Sequence, residues 1–309
     1  MIIRATGLLV LEVRNSNPNG DPDREGDPRQ RPNGLGEISP VSVKRKIRDL
    51  IDDKEGPVWQ AIGKGLDPDE FLILEKRGRI RKDIDKMNKN DFTEFQRTYW
   101  DGRVFGNTFL EERETQDTGG SSEGAKGQKK QGKTNNIRSG VVHFGVGLSV
   151  ASIDIERSTF TNKAGVEEGK DRGMAPLGFR VVEHGVYTIP FFVNPTAGGK
   201  RAEKSGCEPR DVDLLCRTLP HIYSHTISLG RSMVEIRHAH FIEHASLLGS
   251  FSDFQMIDAL TPRLRDGIEK PKRIDDYLIP HWDDVPEVLK SRAARYRDLV
   301  EVRVNVKVG

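Results

Sequence analysis

Cysteine is nearly missing from this chain: Cys207 and Cys216 are the two among 309 residues. Two thiols without a patterned spacing exclude a disulfide framework and a zinc knuckle, so a reducing, cytoplasmic setting is expected. No run of about 18 apolar residues occurs, which disfavours a membrane span. The opening Met1-Ile2-Ile3-Arg4-Ala5-Thr6-Gly7 lacks a charged leader ahead of a long apolar stretch, so secretion is not expected either. A charge excess is lacking as well. Lys and Arg total 49 against 47 for Asp and Glu, and a net charge of +2 names no partner by itself. The chain has no Walker-type phosphate loop, no His-Glu-x-x-His and no evident Ser/His/Asp or Cys/His arrangement, so no motif assigns an enzyme class.

What is present reads as an ordered succession of elements. Residues 2–14 carry Ile2, Ile3, Leu8, Leu9, Val10, Leu11 and Val13, the pattern of a core strand. Residues 15–40 are dense in Asn, Gly, Pro and Asp and predict a long, exposed polar loop. Ser39 or Ser42 can cap a helix running to about Asp53, with Val43, Ile47, Leu50 and Ile51 on one face. Residues 57–100 mix helical patterns with charged turns, and Arg103-Val104-Phe105-Gly106 reads as a short strand. Residues 115–136, nearly free of apolar side chains, are expected to be a mobile insertion. Ser139 to Ile155 has the period of one long strand. Strand segments at Arg180–Val182 and Gly185–Val193 follow a charged stretch, residues 162–174. A helix is expected over Asp211–Ser228, interrupted by Pro220. Strands at Val234–Ile242 and Val300–Val308 close the chain. This order of β, α, several β, α and β suits a single α+β domain over 1–309, RRM-like (ferredoxin-like) with grown loops. A sheet of that kind often leaves one face to RNA.

Three clusters offer chemistry. Lys44, Arg45, Lys46 and Arg48 lie on the first helix, where Lys44 and Arg48 share a ridge at i, i+4 and could meet successive phosphates. A solvated helix face is the ordinary alternative. His221 with His225 and His240 with His244 have metal-ligand spacing, yet a strand from 234 places His238 and His240 on one face, and no metal or other cofactor is expected. Asp21 and Asp23 on the polar loop could hold Mg²⁺ for phosphodiester cleavage. Turn chemistry explains them more simply, so no catalytic residue is assigned.

Four segments in order carry a resemblance: Asn17-Pro-Asn-Gly-Asp-Pro-Asp23, Val41-Ser-Val-Lys-Arg-Lys-Ile-Arg-Asp49, Asp101-Gly-Arg-Val-Phe-Gly106 and Ser139-Gly-Val-Val-His-Phe144. Together they resemble the crRNA-binding backbone subunit of type I CRISPR Cascade complexes, a member of the RAMP superfamily, nearest the subtype I-C and I-B forms. The resemblance spans about residues 5 to 260. It implies an RRM-like palm with inserted finger and thumb regions, copies of the chain arranged head to tail along a crRNA, other Cascade subunits as partners, and target DNA reached through the guide. By the same resemblance the segment 157–180 is a candidate thumb hairpin, with Arg157, Lys163, Lys170 and Arg172 as cations and an apolar tip of Met174, Pro176 and Leu177. The palm would add Arg45, Lys46 and Arg48, then Arg103, Arg138 and His143. The resemblance implies a non-enzymatic subunit. A relative of the type III kind that cuts target RNA with a loop Asp, and a general single-stranded RNA binder, are the alternatives.

Overall fold

Leu9, Leu11 and Val13 point to one side of the first strand and Leu8 and Val10 to the other, and all five are fully buried. A strand apolar on both faces must sit inside a sheet that is covered on both sides. The computed structural model, which describes residues 1–76, 78–80, 92–107, 138–162, 175–196 and 205–304, places it there. In chain order the strands are β1 (Ala5–Ser16), β2 (Leu35–Ile38), β3 (Gly106–Asn107), β4 (Arg138–Ser139), β5 (Val142–Phe144), β6 (Gly147–Ser152), β7 (Ile155–Asn162), β8 (Ala175–Val193), β9 (Val234–His244), β10 (Arg263–Leu264), β11 (Tyr277–Leu278) and β12 (Ala293–Asp298). The helices are α1 (Pro40–Asp52), α2 (Pro57–Ile62), α3 (Phe92–Thr98), α4 (Trp100–Phe105), α5 (Pro209–Thr218), α6 (Asp253–Leu260), α7 (Glu287–Lys290) and α8 (Leu299–Val304).

The main sheet runs β12-β9-β1-β8-β6-β2, with β5 and β7 also paired to β8 and every pairing antiparallel. β1 lies between β8 and β9, Leu9 facing Ile189 on one side and Ala239 on the other. With β5 and β6 taken as one broken strand, the path β1, α1, β5/β6, β8, α5, β9 has the βαββαβ order of a ferredoxin-like core. This mixed α/β fold with an antiparallel sheet is the expected one.

Helix α1 begins where Ser39 accepts from the Ser42 N–H and Pro40 occupies the first turn. Its Val43, Ile47 and Ile51, with Leu214 and Leu215 of α5, cover the Leu9, Leu11 and Val13 face. The opposite face is not left to RNA. Phe251, Met256, Leu260, Tyr277, Val285 and Leu289 of the C-terminal segment bury Leu8, Val10, Val186 and Ile242.

Several sequence-based boundaries change. Of the strand expected at Arg103–Gly106, only Gly106 is in one, opening β3: α4 occupies Trp100–Phe105 and stops at Gly106, whose φ of 75° lies in the left-handed region. The long strand expected from Ser139 to Ile155 is cut into β4, β5, β6 and the start of β7. At Gly140 an added Cβ would lie 2.2 Å from the Phe105 carbonyl carbon and 2.3 Å from the Gly106 nitrogen, so the chain passes directly over the end of α4. The two segments flanking residue 183 are one 19-residue strand, β8. Helix α5 ends at Thr218 because Pro220 has no N–H to continue the ladder, and a 3₁₀ turn takes over. Of the terminal strand expected over Val300–Val308, the described part up to Val304 is helical, lying in α8. Asp298 accepts from the Val300 N–H at 3.0 Å and turns the chain into α8, while β12 just before it is the edge strand. Residues 305–309, like the whole 115–136 segment, fall outside the described residues.

The 15–40 segment is a folded strap rather than a free loop. Gly20 bridges Pro28, Gln30 bridges Gly36, and β2 adds to β6. Asn19 accepts from the Ser39 N–H at 2.8 Å, tying the strap to the start of α1.

Candidate nucleic-acid interface

The cations of α1 divide by depth. Arg45 lies on the outer side, bonded to Asp49 at 2.6 and 2.9 Å and to the Glu75 carbonyl at 2.8 Å. Lys44 is half-buried with its Nζ 5.2 Å from the Phe105 ring centre, and burial lowers its pKa. Lys46 is buried, donates to Ser42 Oγ at 2.9 Å and lies 4.9 Å over the Tyr223 ring. Burial, helped by the nearby Arg231, pulls its ammonium down to about 7.

Arg48 and Arg103, expected on a phosphate track, are interior braces instead. Arg48 reaches Asp101 at 2.8 Å and Glu75 at 2.9 Å, and Asp101 also accepts from the Leu74 N–H at 2.6 Å. Arg103 grips both oxygens of fully buried Asp211 at 2.7 and 3.1 Å and donates to the carbonyls of Glu70, Gln96 and Arg97. The sequence carries no sign of this, because the buried acids Asp101 and Asp211 are 53 and 108 residues from their arginines. Of the remaining palm candidates, Arg138 lies in β4 opposite Asn107, and half-buried His143 lies in β5 opposite Phe192.

The candidate hairpin is an antiparallel ribbon of β7 and β8, in register from Ile155↔Val182 to Asn162↔Ala175. Lys163, Lys170, Arg172 and Met174 lie beyond it, outside the described residues, while Pro176 and Leu177 fall in β8. At the ribbon's root Arg157 and Arg180 face each other directly. Two like charges so placed repel unless an anion separates them. The strap supplies it. Asp27 accepts from Arg157 at 2.5 to 3.2 Å and lies 3.6 Å from Arg180, and Arg180 also takes the Glu25 carboxylate and carbonyl at 2.5 Å each. The Arg157 guanidinium holds the Asp27 carboxyl below the ordinary range.

Beside this knot opens a cleft of about 470 Å³ lined by Asn17, Glu25, Gly26, Phe179, Arg180 and Gly230. The Asn17 amide donates to the Gly26 carbonyl at 2.8 Å, while its buried Oδ1 finds no partner among the described residues. Arg180, Asp27, Glu25 and Asn17 thus join the candidate surface by geometry. Strand register was the missing signal, since only Arg157↔Arg180 pairing reveals two cations that need a counter-anion.

The other clusters resolve into structure. Asp21 accepts from the Asp23 N–H at 3.2 Å, capping its own 3₁₀ turn, and lies 3.6 Å from Arg29. His238 and His240 stack on the same face of β9 with centroids 5.2 Å apart. His238 meets Asp298 at 2.7 Å and His240 meets the Tyr296 hydroxyl at 2.9 Å. Burial lowers His240 to about 4. His244 lies between Thr6 and Asp253, and His221 packs edge-on against His225. Among the described residues no group of three or more His, Cys, Asp or Glu is placed to hold a metal ion. No helix among them is long and apolar enough to cross a membrane.

The sheet order, the strap and the arginine-rooted ribbon define an elaborated ferredoxin-like α+β protein. Residues 3–281 match the family described as CRISPR-associated protein Cas7, and the chain belongs to that family. A CRISPR-associated protein Cas7 of Haloferax volcanii is 26% identical over 218 residues, or 69% of this chain, and the match spans 63% of that relative's length. A chain from a structure titled CRISPR RNA-guided surveillance complex, pre-nicking, is 14% identical with a TM-score of 0.46, covering 78% of each chain. Another, from a CRISPR RNA-guided surveillance complex, is 15% identical with a TM-score of 0.43 over 78% of this chain and 69% of its own. A third, from a type III-B Cmr-beta complex bound to cognate target RNA, is 12% identical with a TM-score of 0.41 over 78% and 61%.

Proposed function

We propose that this chain is a crRNA-binding backbone subunit of a Cascade-type CRISPR complex, of the subtype I-C or I-B form. Copies line up head to tail along the guide in the cytoplasm, beside other subunits, and present it for pairing with target DNA. The observation that carries this reading is the family match across residues 3–281. The arginines of the ribbon root and of the outer side of α1 support it, because arginine forks bind phosphate without reading sequence. The reading is of a non-catalytic subunit, and it is supported by Asp21 capping its own turn and lying 3.6 Å from Arg29. In such an assembly base pairing reads sequence and the protein handles backbone and shape.

The test is to purify the chain from cells expressing its neighbouring genes, sequence the RNA that comes with it, and add complementary RNA with Mg²⁺. Repeat-derived guides with intact target are expected. Heterogeneous cellular RNA would instead mark a general single-strand binder. Target cleavage lost on Asp21→Ala would move the chain to an RNA-cutting role.

A further inference from the structure

At the ribbon root two carboxylates meet two guanidiniums in very different settings. The Asp27 side chain is 12% exposed, is held from both sides, and its backbone is fixed by bonds to Asp21 and Arg24. The Glu25 side chain is 82% exposed and rests on Arg180 at the mouth of the cleft. Glu25 also has φ of 52°, a left-handed backbone uncommon for a residue with a side chain. Arg180 holds the Glu25 carbonyl through Nη1 and the carboxylate through Nη2, so releasing the carboxylate leaves the strap attached and one fork arm open toward the cleft.

We propose that Glu25 is an internal stand-in for phosphate, occupying Arg180 in the free chain and displaced by an RNA phosphodiester entering the Asn17–Arg180 cleft, while Asp27 is a positioning residue that aims both arginines. The exchange is cheap because an exposed ion pair contributes little and a phosphate offers the same fork more acceptor oxygens. Asn17 Oδ1, buried and without a partner among the described residues, adds an acceptor for a donor group of the nucleotide. Asp27 cannot exchange in the same way. Without it Arg157 and Arg180 repel across the ribbon. The inference rests on the RNA-binding reading above and adds to it a site with a resident competitor.

The two carboxylates therefore predict opposite signs. Binding of the full chain to a fluorescein-labelled poly(U) RNA is followed by anisotropy at low salt. Glu25→Gln is expected to tighten binding about two- to fivefold, the size of one exposed ion pair. Asp27→Asn is expected to weaken it by at least as much. Both remove one negative charge, so an effect of bulk charge would tighten both alike, and that result overturns the proposal. An unchanged or weaker Glu25→Gln overturns it too. The Glu25 arm stands even if Asp27→Asn lowers the melting temperature, since that side chain is almost wholly in solvent. A folded wild-type chain that binds no RNA removes the backbone reading itself, and the inference with it.

Discussion

Arg103 and Arg45 are the same side chain used in opposite ways. Arg103 makes five bonds in the interior, two of them to fully buried Asp211, while Arg45 makes an i, i+4 pair with Asp49 at the surface and a contact to the Glu75 carbonyl. Removing one partner of a buried pair strands the other charge in a low dielectric, whereas an exposed helix pair is screened by water. Arg103→Ala is expected to cost about 3–5 kcal/mol in urea denaturation, and Arg45→Ala under about 1 kcal/mol. Equal costs would mean that the Arg103–Asp211 pair is not desolvated in solution. Both arginines stand out in the sequence as cations. Only their distance from Asp211 or from solvent separates brace from surface, and that distance is set by how α4 packs on α5.

At the scale of elements, glycine marks where backbones come close. Gly140 lies where the chain crosses the end of α4, and an added Cβ would meet three backbone atoms within 2.3 Å, none of which can rotate away. Gly178 in the ribbon has nothing within 4 Å of the same added atom. Gly140→Ala is therefore expected to lose at least about 2 kcal/mol, as overpacked sites do, and Gly178→Ala to stay within about 0.5 kcal/mol, as open surface sites do. Parallel thermal melts of the two variants decide it, and a benign Gly140→Ala would show that α4 can shift from β4 and β5. The same crossing explains why the β pattern of residues 139–155 overstated one strand. Its apolar alternation is real, but the chain must step over α4 at Gly140, and Gly145 and Val146 separate β5 from β6.

For the whole molecule, the C-terminal segment matters most. Leu8, Val10, Val186 and Ile242 would form an open sheet face without Phe251, Met256, Leu260 and Tyr277. Because β1 contributes to both apolar clusters, the two layers should melt as one unit. Met256→Ala removes a fully buried side chain and is expected to cost about 2–5 kcal/mol while leaving a single unfolding transition by both near-ultraviolet dichroism and calorimetry. A separate early transition would instead mean that the segment folds as a layer of its own. With that face closed, the proposed RNA surface is confined to the strap, the ribbon root and the outer side of α1.

The sequence by itself determined the strands that are apolar by composition, β1 and β9, the capped helix α1, the α+β order and, through four spaced segments, the family. These are local patterns: alternation, caps and turn residues act within a few positions. Tertiary structure alone decided which cations face water, that β8 runs unbroken through Glu183, that Asp298 ends the last strand, and that Arg157 and Arg180 meet over Asp27. Each of those depends on groups far apart in the chain, where register and packing, rather than the character of the residue, set the distance between charges and hence their energy.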